Sequence, residues 1–244
     1  MAGVATAPTS IGIRRATLAT AVSLDKSGWL ILLAVTVGTN LIDFAAVPAA
    51  GTPPGAAFLL AVLLRIALVF WLVYALLRRL TDTPGPLSVT IAFWRLALLQ
   101  MILLIGVGLA TRLGAIMTGP HPTLAAEWLG GMLAIALVGL LTIRLAAWHT
   151  ALAVGEPFAA LGPLWRGQRA ITTPLALAFM VLVLPIAALH LALTLVGLRT
   201  PLSAPAHILL GIFDGLVQAW QLLLSLALGV VGWRFARNSA SQAG

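Results

Sequence analysis

The sequence predicts an all-α polytopic membrane protein, a bundle of six transmembrane helices with both termini in the cytoplasm. Composition is the first reason: 61% of the 244 residues are hydrophobic and 8% are charged, whereas a soluble domain carries about 25% charged residues. The mean hydropathy of +1.09 is the second. Too few charged side chains exist to cover a water-facing surface, which excludes soluble and disordered classes of protein.

Long apolar runs are the third reason, because a helix that crosses a hydrocarbon core of about 30 Å needs about 20 apolar residues. The turns between the runs read GTPPG, DTPGP, GPHP and PLSAP, at residues 51–55, 82–86, 119–122 and 201–205. The predicted spans are residues 28–47, 56–77, 88–111, 124–148, 171–197 and 206–233. They form one transmembrane domain, residues 28–237, followed by a short C-terminal tail, residues 238–244.

The basic residues predict the orientation, since Lys and Arg collect in short cytoplasmic loops. Two arginines, Arg112 and Arg199, fall on the opposite side, and Arg65 and Arg95 fall inside spans. The remaining ten of the fourteen lie on one side: Arg14, Arg15, Lys26, Arg78, Arg79, Arg144, Arg166, Arg169, Arg234 and Arg237. The net charge of +8 is explained by loops beside anionic lipid headgroups, so the expected partners are membrane lipids and not nucleic acid.

The N-terminal segment, residues 1–27, has two interpretations. Residues 11–26 form either a helix lying in the membrane interface or a poorly ordered basic tail. In the helical alternative, Ile11, Leu18 and Val22 lie on one side, and Arg14 and Arg15 lie opposite.

Small and polar residues follow one face of the sixth span. They are three or four positions apart and fall within an arc of about 80°. The stripe consists of His207, Gly211, Asp214, Gln218, Gln221, Ser225, Gly229 and Gly232. It is either a seam at which helices pack closely or the lining of a polar path or binding cavity.

Charged residues inside the other spans predict a polar site near the middle of the membrane. Arg65 and Asp214 lie at the same depth, about 12 to 13 Å below the outer boundary, which predicts an ion pair between them. Asp43, on a polar face of the first span with Thr36 and Asn40, is the competing partner. The candidate site comprises Asp43, Arg65, Arg95, Gln100, Asp214, Gln218 and Gln221.

Arg95 has two predicted arrangements. It forms a hydrogen-bonded layer with Gln218 and Gln221, or it extends along the helix towards the cytoplasmic headgroups. Gln100 is about 140° further round the helix, so Arg95 and Gln100 are expected to contact different neighbours.

The four histidines do not predict a metal or haem site, because no two share a helix at ligand spacing. We therefore expect no cofactor. His190 and Thr194, one turn apart in the fifth span, predict an interhelical hydrogen-bonding site. Pro185 is expected to kink the same helix.

Residues 155–170 read GEPFAALGPLWRGQRA and predict an amphipathic segment between the fourth and fifth spans. Four apolar side chains are expected to enter the membrane interface: Phe158, Leu161, Leu164 and Trp165. Three polar side chains are expected to face the headgroups: Arg166, Gln168 and Arg169.

This segment resembles a turn of bacterial six-span membrane proteins that are common in alphaproteobacteria and similar to the membrane domain fused to some glycerophosphodiester phosphodiesterases. Arg144 upstream and Arg234 after the sixth span add to the resemblance. The resemblance implies a six-helix bundle in a bacterial inner membrane and no known catalytic residue. The residues that carry it are Glu156, Pro157, Phe158, Trp165, Arg166, Gly167 and Arg169.

An enzyme is not expected, since no nucleophile, base or metal ligands converge in the sequence. There is no cysteine, and the only aspartate pair for intramembrane hydrolysis, Asp43 and Asp214, differs in depth by about 6 Å. The leading hypothesis is a non-catalytic structural, accessory or lipid-associated bundle, with other membrane subunits among its partners. The alternative is a small transporter or ligand-binding membrane protein with a polar site around Arg65 and Asp214.

Overall fold

The structure, a computed structural model, describes residues 9–46, 55–118, 123–200 and 202–241. All regular structure in these ranges is helical. The α-helices are α1 (Ser10–Val22), α2 (Lys26–Ala46), α3 (Ala56–Leu80), α4 (Ile91–Thr118), α5 (Leu124–Thr142), α6 (Ala146–Ala153), α7 (Leu161–Gly167), α8 (Thr172–Leu182), α9 (Leu184–Arg199) and α10 (Ala204–Ser241). Short 3-10 segments cover Ile143–Leu145, Phe158–Ala160 and Arg169–Ile171.

Between three and six stretches of the described chain are long and apolar enough to cross a membrane. Three are single helices: Ala56–Leu80, Ile91–Leu109 and Ala204–Ser239. Three more are bent pairs of helices if each pair is counted as one span. These pairs are Ser10–Val22 with Lys26–Ile42, bent by 90°, Leu124–Leu140 with Ile143–Ala153, bent by 49°, and Arg169–Leu182 with Leu184–Gly197, bent by 40°.

The first helix, α1, lies nearly perpendicular to α2. Its N-terminus is capped by the Thr9 hydroxyl, which accepts a hydrogen bond of 3.1 Å from the backbone N–H of Gly12. Ile13 is fully buried and packs with Leu175 of α8 and Leu228 of α10. Residues 10–22 are therefore helical, as in one of the two predicted arrangements. Three apolar side chains of α1 stay exposed: Ile11, Leu18 and Val22. Exposed Arg15 is three residues from Leu18 and lies on the same side of the helix, so its predicted position opposite them is wrong.

Two predicted spans are broken in the structure. The predicted fourth span, residues 124–148, is interrupted by the 3-10 turn Ile143–Leu145 before the chain continues in α6. The predicted fifth span breaks at Val183, between α8 and α9. Pro185 lies in the first turn of α9, where a missing N–H costs least, so the predicted kink is confirmed. The sixth helix continues to Ser241, beyond its predicted end at residue 233.

The last helix, α10, lies at the centre of the bundle. Of its most apolar stretch of 18 residues, 67% is buried inside the protein, compared with 11% for the corresponding stretches of α3 and α4. Small residues permit this position because a side chain would collide with a neighbouring backbone. A Cβ on Gly215 would lie 2.6 Å from Cα of Val37 on α2, and one on Gly229 would lie 2.8 Å from the carbonyl oxygen of Ala146.

The segment between α6 and α8 packs against the bundle, which corrects part of the sequence prediction. Leu161 and Leu164 are buried in the core instead of entering the interface. Gln168, predicted to face headgroups, is fully buried. The reason is close packing of α7 on α10, where a Cβ on Gly167 would lie 2.7 Å from the carbonyl oxygen of Ala236. Phe158 remains exposed, as expected for an interfacial side chain.

Candidate functional site

The most completely buried charged group of the described bundle is the Asp214 carboxylate of α10, which is inaccessible to solvent. One carboxylate oxygen lies 2.6 Å from Nδ1 of His190. The other accepts a hydrogen bond of 3.2 Å from the Thr194 hydroxyl. His190 and Thr194 are one turn apart on α9 and therefore both face α10. The predicted interhelical hydrogen-bonding site is confirmed, with Asp214 as its acceptor.

The predicted direct ion pair between Arg65 and Asp214 is corrected by these contacts. Within the described residues, the Asp214 carboxylate is held by His190 and Thr194. Arg65 remains near enough to attract the carboxylate electrostatically. The prediction placed Arg65 and Asp214 at the same depth. In the structure, α9 supplies the side chains that contact the Asp214 carboxylate. The side chain of Asp43, the predicted competing partner, lies outside the described residues.

A second interhelical contact joins α10 to α2. The Asn40 side-chain amide donates to Oε1 of Gln218 at 2.6 Å and to the carbonyl oxygen of Thr36 at 3.0 Å. Asn40 itself is buried. This contact lies one turn from Gly215, where a Cβ would lie 2.6 Å from Cα of Val37 on α2. The seam interpretation of the polar stripe is therefore supported at Asp214 and Gln218.

The predicted layer of Arg95 with Gln218 and Gln221 is wrong. Gln218 bonds to Asn40, while the Arg95 guanidinium carbon lies 5.7 Å from the centroid of the Phe158 ring. Arg95 thus reaches towards the segment between α6 and α8, as in the alternative arrangement. Gln221 has a buried Oε1 with no hydrogen-bond partner among the described residues.

A cavity of about 490 Å³ lies between α3, α4, α5, α6, α8 and α10. Its lining is mainly aliphatic and aromatic, with three polar side chains: Gln100, His149 and Ser225. Gln100 is buried, and its amide nitrogen has no hydrogen-bond partner in the described part of the chain. Gln100 and Arg95 therefore have different neighbours, as predicted. The sequence did not reveal the cavity, because its walls come from six helices whose relative positions no spacing determines.

Several arginines gather at one end of the bundle, which we call the basic end. It comprises the start of α2 and the ends of α3, α6 and α10. Arg78 donates to the carbonyl oxygen of Ala153 at 3.2 Å, and Arg234 donates to that of Leu80 at 3.2 Å. Arg79 forms an ion pair of 2.7 Å with Asp25.

Contacts of Glu156 and Trp165 hold the segment between α6 and α8 against the bundle. The Arg144 guanidinium lies 3.8 Å from the centroid of the Trp165 ring and donates to the Trp165 carbonyl oxygen. Trp233 of α10 donates through its indole N–H to the Glu156 carboxylate at 3.0 Å. Pro157, Phe158, Arg166 and Arg169 remain exposed.

The corner between α1 and α2 carries the clearest titration effect outside the spans. The Ser27 hydroxyl, the Arg79 guanidinium and the backbone N–H of Gly28 bind the Asp25 carboxylate. These contacts, that of Ser27 first, hold the pKa of Asp25 below its ordinary value. The site is exposed to solvent, so this corner is a surface contact.

The described polar residues do not form a metal centre, since no three His, Asp or Glu side chains within those ranges lie together as ligands. The arrangement supplies buried interhelical hydrogen bonds, a basic end and a mainly apolar cavity. No family model matches the chain, and no curated protein or solved structure matches it either. The resemblance of residues 156–169 to bacterial six-span membrane proteins therefore stays a prediction.

Proposed function

We propose that the protein is a non-catalytic, lipid-associated bundle of a bacterial inner membrane. In this proposal it crosses the membrane six times, and both termini are cytoplasmic. The observation that carries the proposal is the position of α1, which lies at 90° to α2 beside the basic end. Its exposed Ile11, Leu18 and Val22 suit the acyl boundary, while exposed Arg15 suits anionic headgroups.

Contacts at the basic end support six crossings. The Asp25–Arg79 ion pair joins the start of α2 to the end of α3. These two helix ends are therefore expected on the same side of the membrane, with α2 and α3 each crossing it once. The hydrogen bond from Arg234 to Leu80 joins the end of α10 to the end of α3. An even number of crossings is therefore expected between residues 80 and 234. Four crossings satisfy this requirement when α5 with α6, and α8 with α9, are each one span.

The polar contacts inside the bundle support a non-catalytic role. Asp214 and Gln218 bind side chains of neighbouring helices, which is the usual use of polar groups between membrane helices. The motif residues Glu156 and Trp165 bind within the protein in the same way. Arg166 and Arg169 remain available for headgroups.

The test uses spin labels on single cysteines, because the native sequence has none. Leu18→Cys places the label among the exposed apolar side chains of α1, and the matched Ser239→Cys variant places it on an exposed residue near the end of α10. In nanodiscs containing phosphatidylglycerol, we expect the label at 18 to be relaxed by oxygen and the label at 239 by a water-soluble nickel complex. Equal relaxation of both labels by the nickel complex would show that α1 does not enter the interface.

The orientation has a separate test in intact cells. Arg15→Cys and Ser239→Cys are expected to be protected from a membrane-impermeant maleimide, and Thr123→Cys is expected to react. Permeabilised cells provide the control, since all three exposed positions should then react. Reaction of Ser239→Cys in intact cells would overturn the proposed orientation.

A second candidate function is a small transporter or ligand-binding membrane protein. It is favoured by the polar site at Asp214, where His190 keeps 21% of its side chain exposed beside the buried carboxylate. Arg65 adds positive charge nearby. The test is a panel of solutes in a thermal-shift assay. A stabilising solute whose effect disappears in Asp214→Asn would support this function, and no shift with any solute would count against it.

A further inference from the structure

We infer that the cavity beside Gln100 binds one fatty acyl chain of a membrane lipid, with the acyl carbonyl oxygen at the Gln100 amide. The inference goes beyond the headgroup attraction proposed above. It does not depend on that attraction, because the cavity lies inside the bundle and is formed by residues other than those of α1.

The first argument is an unsatisfied donor. Gln100 is 9% exposed and lines the cavity, and its Nε2 has no hydrogen-bond partner in the described ranges. A buried polar group without a partner is costly, so native proteins normally provide one. A carbonyl oxygen in the cavity would accept the hydrogen bond that the protein leaves open.

The second argument is the order of the lining residues on α4 and on the stretch from α5 to α6. On α4, polar Gln100 is the lining residue nearest the start of the helix, at the side of the basic end, and apolar Leu103, Leu104 and Val107 follow. Along α5 and α6, His149 is nearest the basic end, and Ile143 is further along the cavity. A ligand is therefore expected to place its polar group towards the basic end and its chain towards the apolar residues.

The third argument is access from the bilayer. Leu104 and Val107 line the cavity, yet they are 41% and 37% exposed. The cavity therefore opens along the lipid-facing surface of α4. An acyl chain can enter sideways without crossing water. The volume of about 490 Å³ lies within the range of about 300 to 1,000 Å³ for small-molecule sites.

The chemistry of His149 separates two sources of the acyl chain. Its Nδ1 lies 3.1 Å from the carbonyl oxygen of Leu145. A carbonyl only accepts, so Nδ1 donates, and Nε2 of the neutral ring is an acceptor. A protonated free fatty acid would donate a hydrogen bond from its hydroxyl to that nitrogen. An ester of a phospholipid has only its carbonyl oxygen, which accepts a hydrogen bond and does not donate one. The acyl carbonyl is common to both sources.

The experiment measures binding to the delipidated full chain in mild detergent by native mass spectrometry. The probes are oleic acid, methyl oleate and 1-octadecene, which share a chain of similar length and differ in the oxygen group. Dioleoylphosphatidylglycerol tests the phospholipid source. We expect methyl oleate to bind roughly five- to tenfold more tightly than 1-octadecene, and Gln100→Leu to remove that difference. Tighter binding of oleic acid than of methyl oleate would identify the free acid as the preferred form.

A second pair of variants tests the position of the chain. Leu104→Trp narrows the mouth of the cavity, and Leu98→Trp places the same ring on an exposed part of α4 that does not line it. We expect Leu104→Trp to reduce oleate binding at least about fivefold and Leu98→Trp to leave it unchanged. Equal binding by all variants would overturn the site. Binding of decylubiquinone without any acyl probe would overturn the choice of ligand.

Discussion

The two halves of α10 bind their neighbours in different ways. In the half away from the basic end, Asp214 binds α9 and Gln218 binds α2 through side-chain hydrogen bonds, with one close glycine contact between them at Gly215. In the half towards the basic end, the stripe contacts its neighbours through glycines. A Cβ on Gly229 would lie 2.8 Å from the backbone of α6, and one on Gly232 would lie 3.1 Å from the Gln168 amide. One stripe in the sequence thus contains two kinds of helix contact.

The difference predicts that glycine contacts and side-chain hydrogen bonds respond differently to substitution. Hydrogen bonds between membrane helices contribute on average about 0.6 kcal/mol and at most about 1.7 kcal/mol in measured cases. A backbone in contact with a glycine cannot move aside as easily as a side chain. The close glycine contacts are therefore expected to be less tolerant of substitution than the hydrogen-bonded positions. The polar half offers groups that can exchange one partner for another, which suits the second candidate function.

The largest effect is expected for Gly229→Leu. The new side chain collides with the Ala146 carbonyl, and we expect a loss of more than about 3 kcal/mol in the free energy of unfolding. Thermal unfolding in detergent measures it. Gly38→Leu is the matched control, since no atom lies within 4 Å of a Cβ there. Equal melting temperatures for the two variants would remove the distinction between the halves of α10.

A smaller loss, about 1 to 3 kcal/mol, is expected for Asp214→Leu. The substitution leaves the donors of His190 and Thr194 without their acceptor inside the bundle. Double-mutant cycles with His190→Phe and Arg65→Leu sharpen the result. We expect a larger coupling energy with His190 than with Arg65, because His190 makes the direct contact. The reverse order would restore the ion pair that the sequence predicted.

Gln218→Leu is expected to cost about 0.6 kcal/mol and less than about 1.7 kcal/mol. It removes one hydrogen bond to Asn40 and keeps the side-chain volume. Asn40→Leu should cost a similar amount, and the double variant should cost little more than either. A loss as large as that of Gly229→Leu would show that side-chain hydrogen bonds, not close packing, dominate α10.

The smallest effect is expected at the exposed corner between α1 and α2. Asp25→Asn should cost less than about 1 kcal/mol at neutral pH, because exposed ion pairs contribute little. The pKa of Asp25 is lowered by Ser27 and Arg79 in the folded protein. Its contribution is therefore complete above the ordinary pKa of about 3.9 and is lost as the pH falls through the lowered value. Melting temperatures at pH 7 and at about pH 2 should differ between wild type and variant only at pH 7.

Local spacing predicted the features that depend on one helix. The separation of His190 and Thr194 by one turn predicted their common contact, and Pro185 predicted the break beside it. The separation of Arg95 and Gln100 round α4 predicted their different neighbours. Each of these inferences needs only the helical repeat.

Features that depend on the arrangement of several helices were not predictable in the same way. The helical rise per residue predicted that Arg65 and Asp214 lie at the same depth. It could not predict which neighbour each helix turns these side chains towards. The turn at Ile143–Leu145 contains neither glycine nor proline, so no local signal marked the break. Leu161 and Leu164 form an apolar face that suits either a membrane or a protein surface, and packing on α10 decided between them.

The central position of α10 has a consequence for synthesis of the chain. Translation is vectorial, so helices α1 to α9 leave the ribosome before the helix around which they pack. Until α10 is inserted, His190 and Asn40 lack the acceptors Asp214 and Gln218, and Val37 and Ala146 lack the glycines that cover them. The nascent bundle therefore matures only when α10 is inserted and closes its interior.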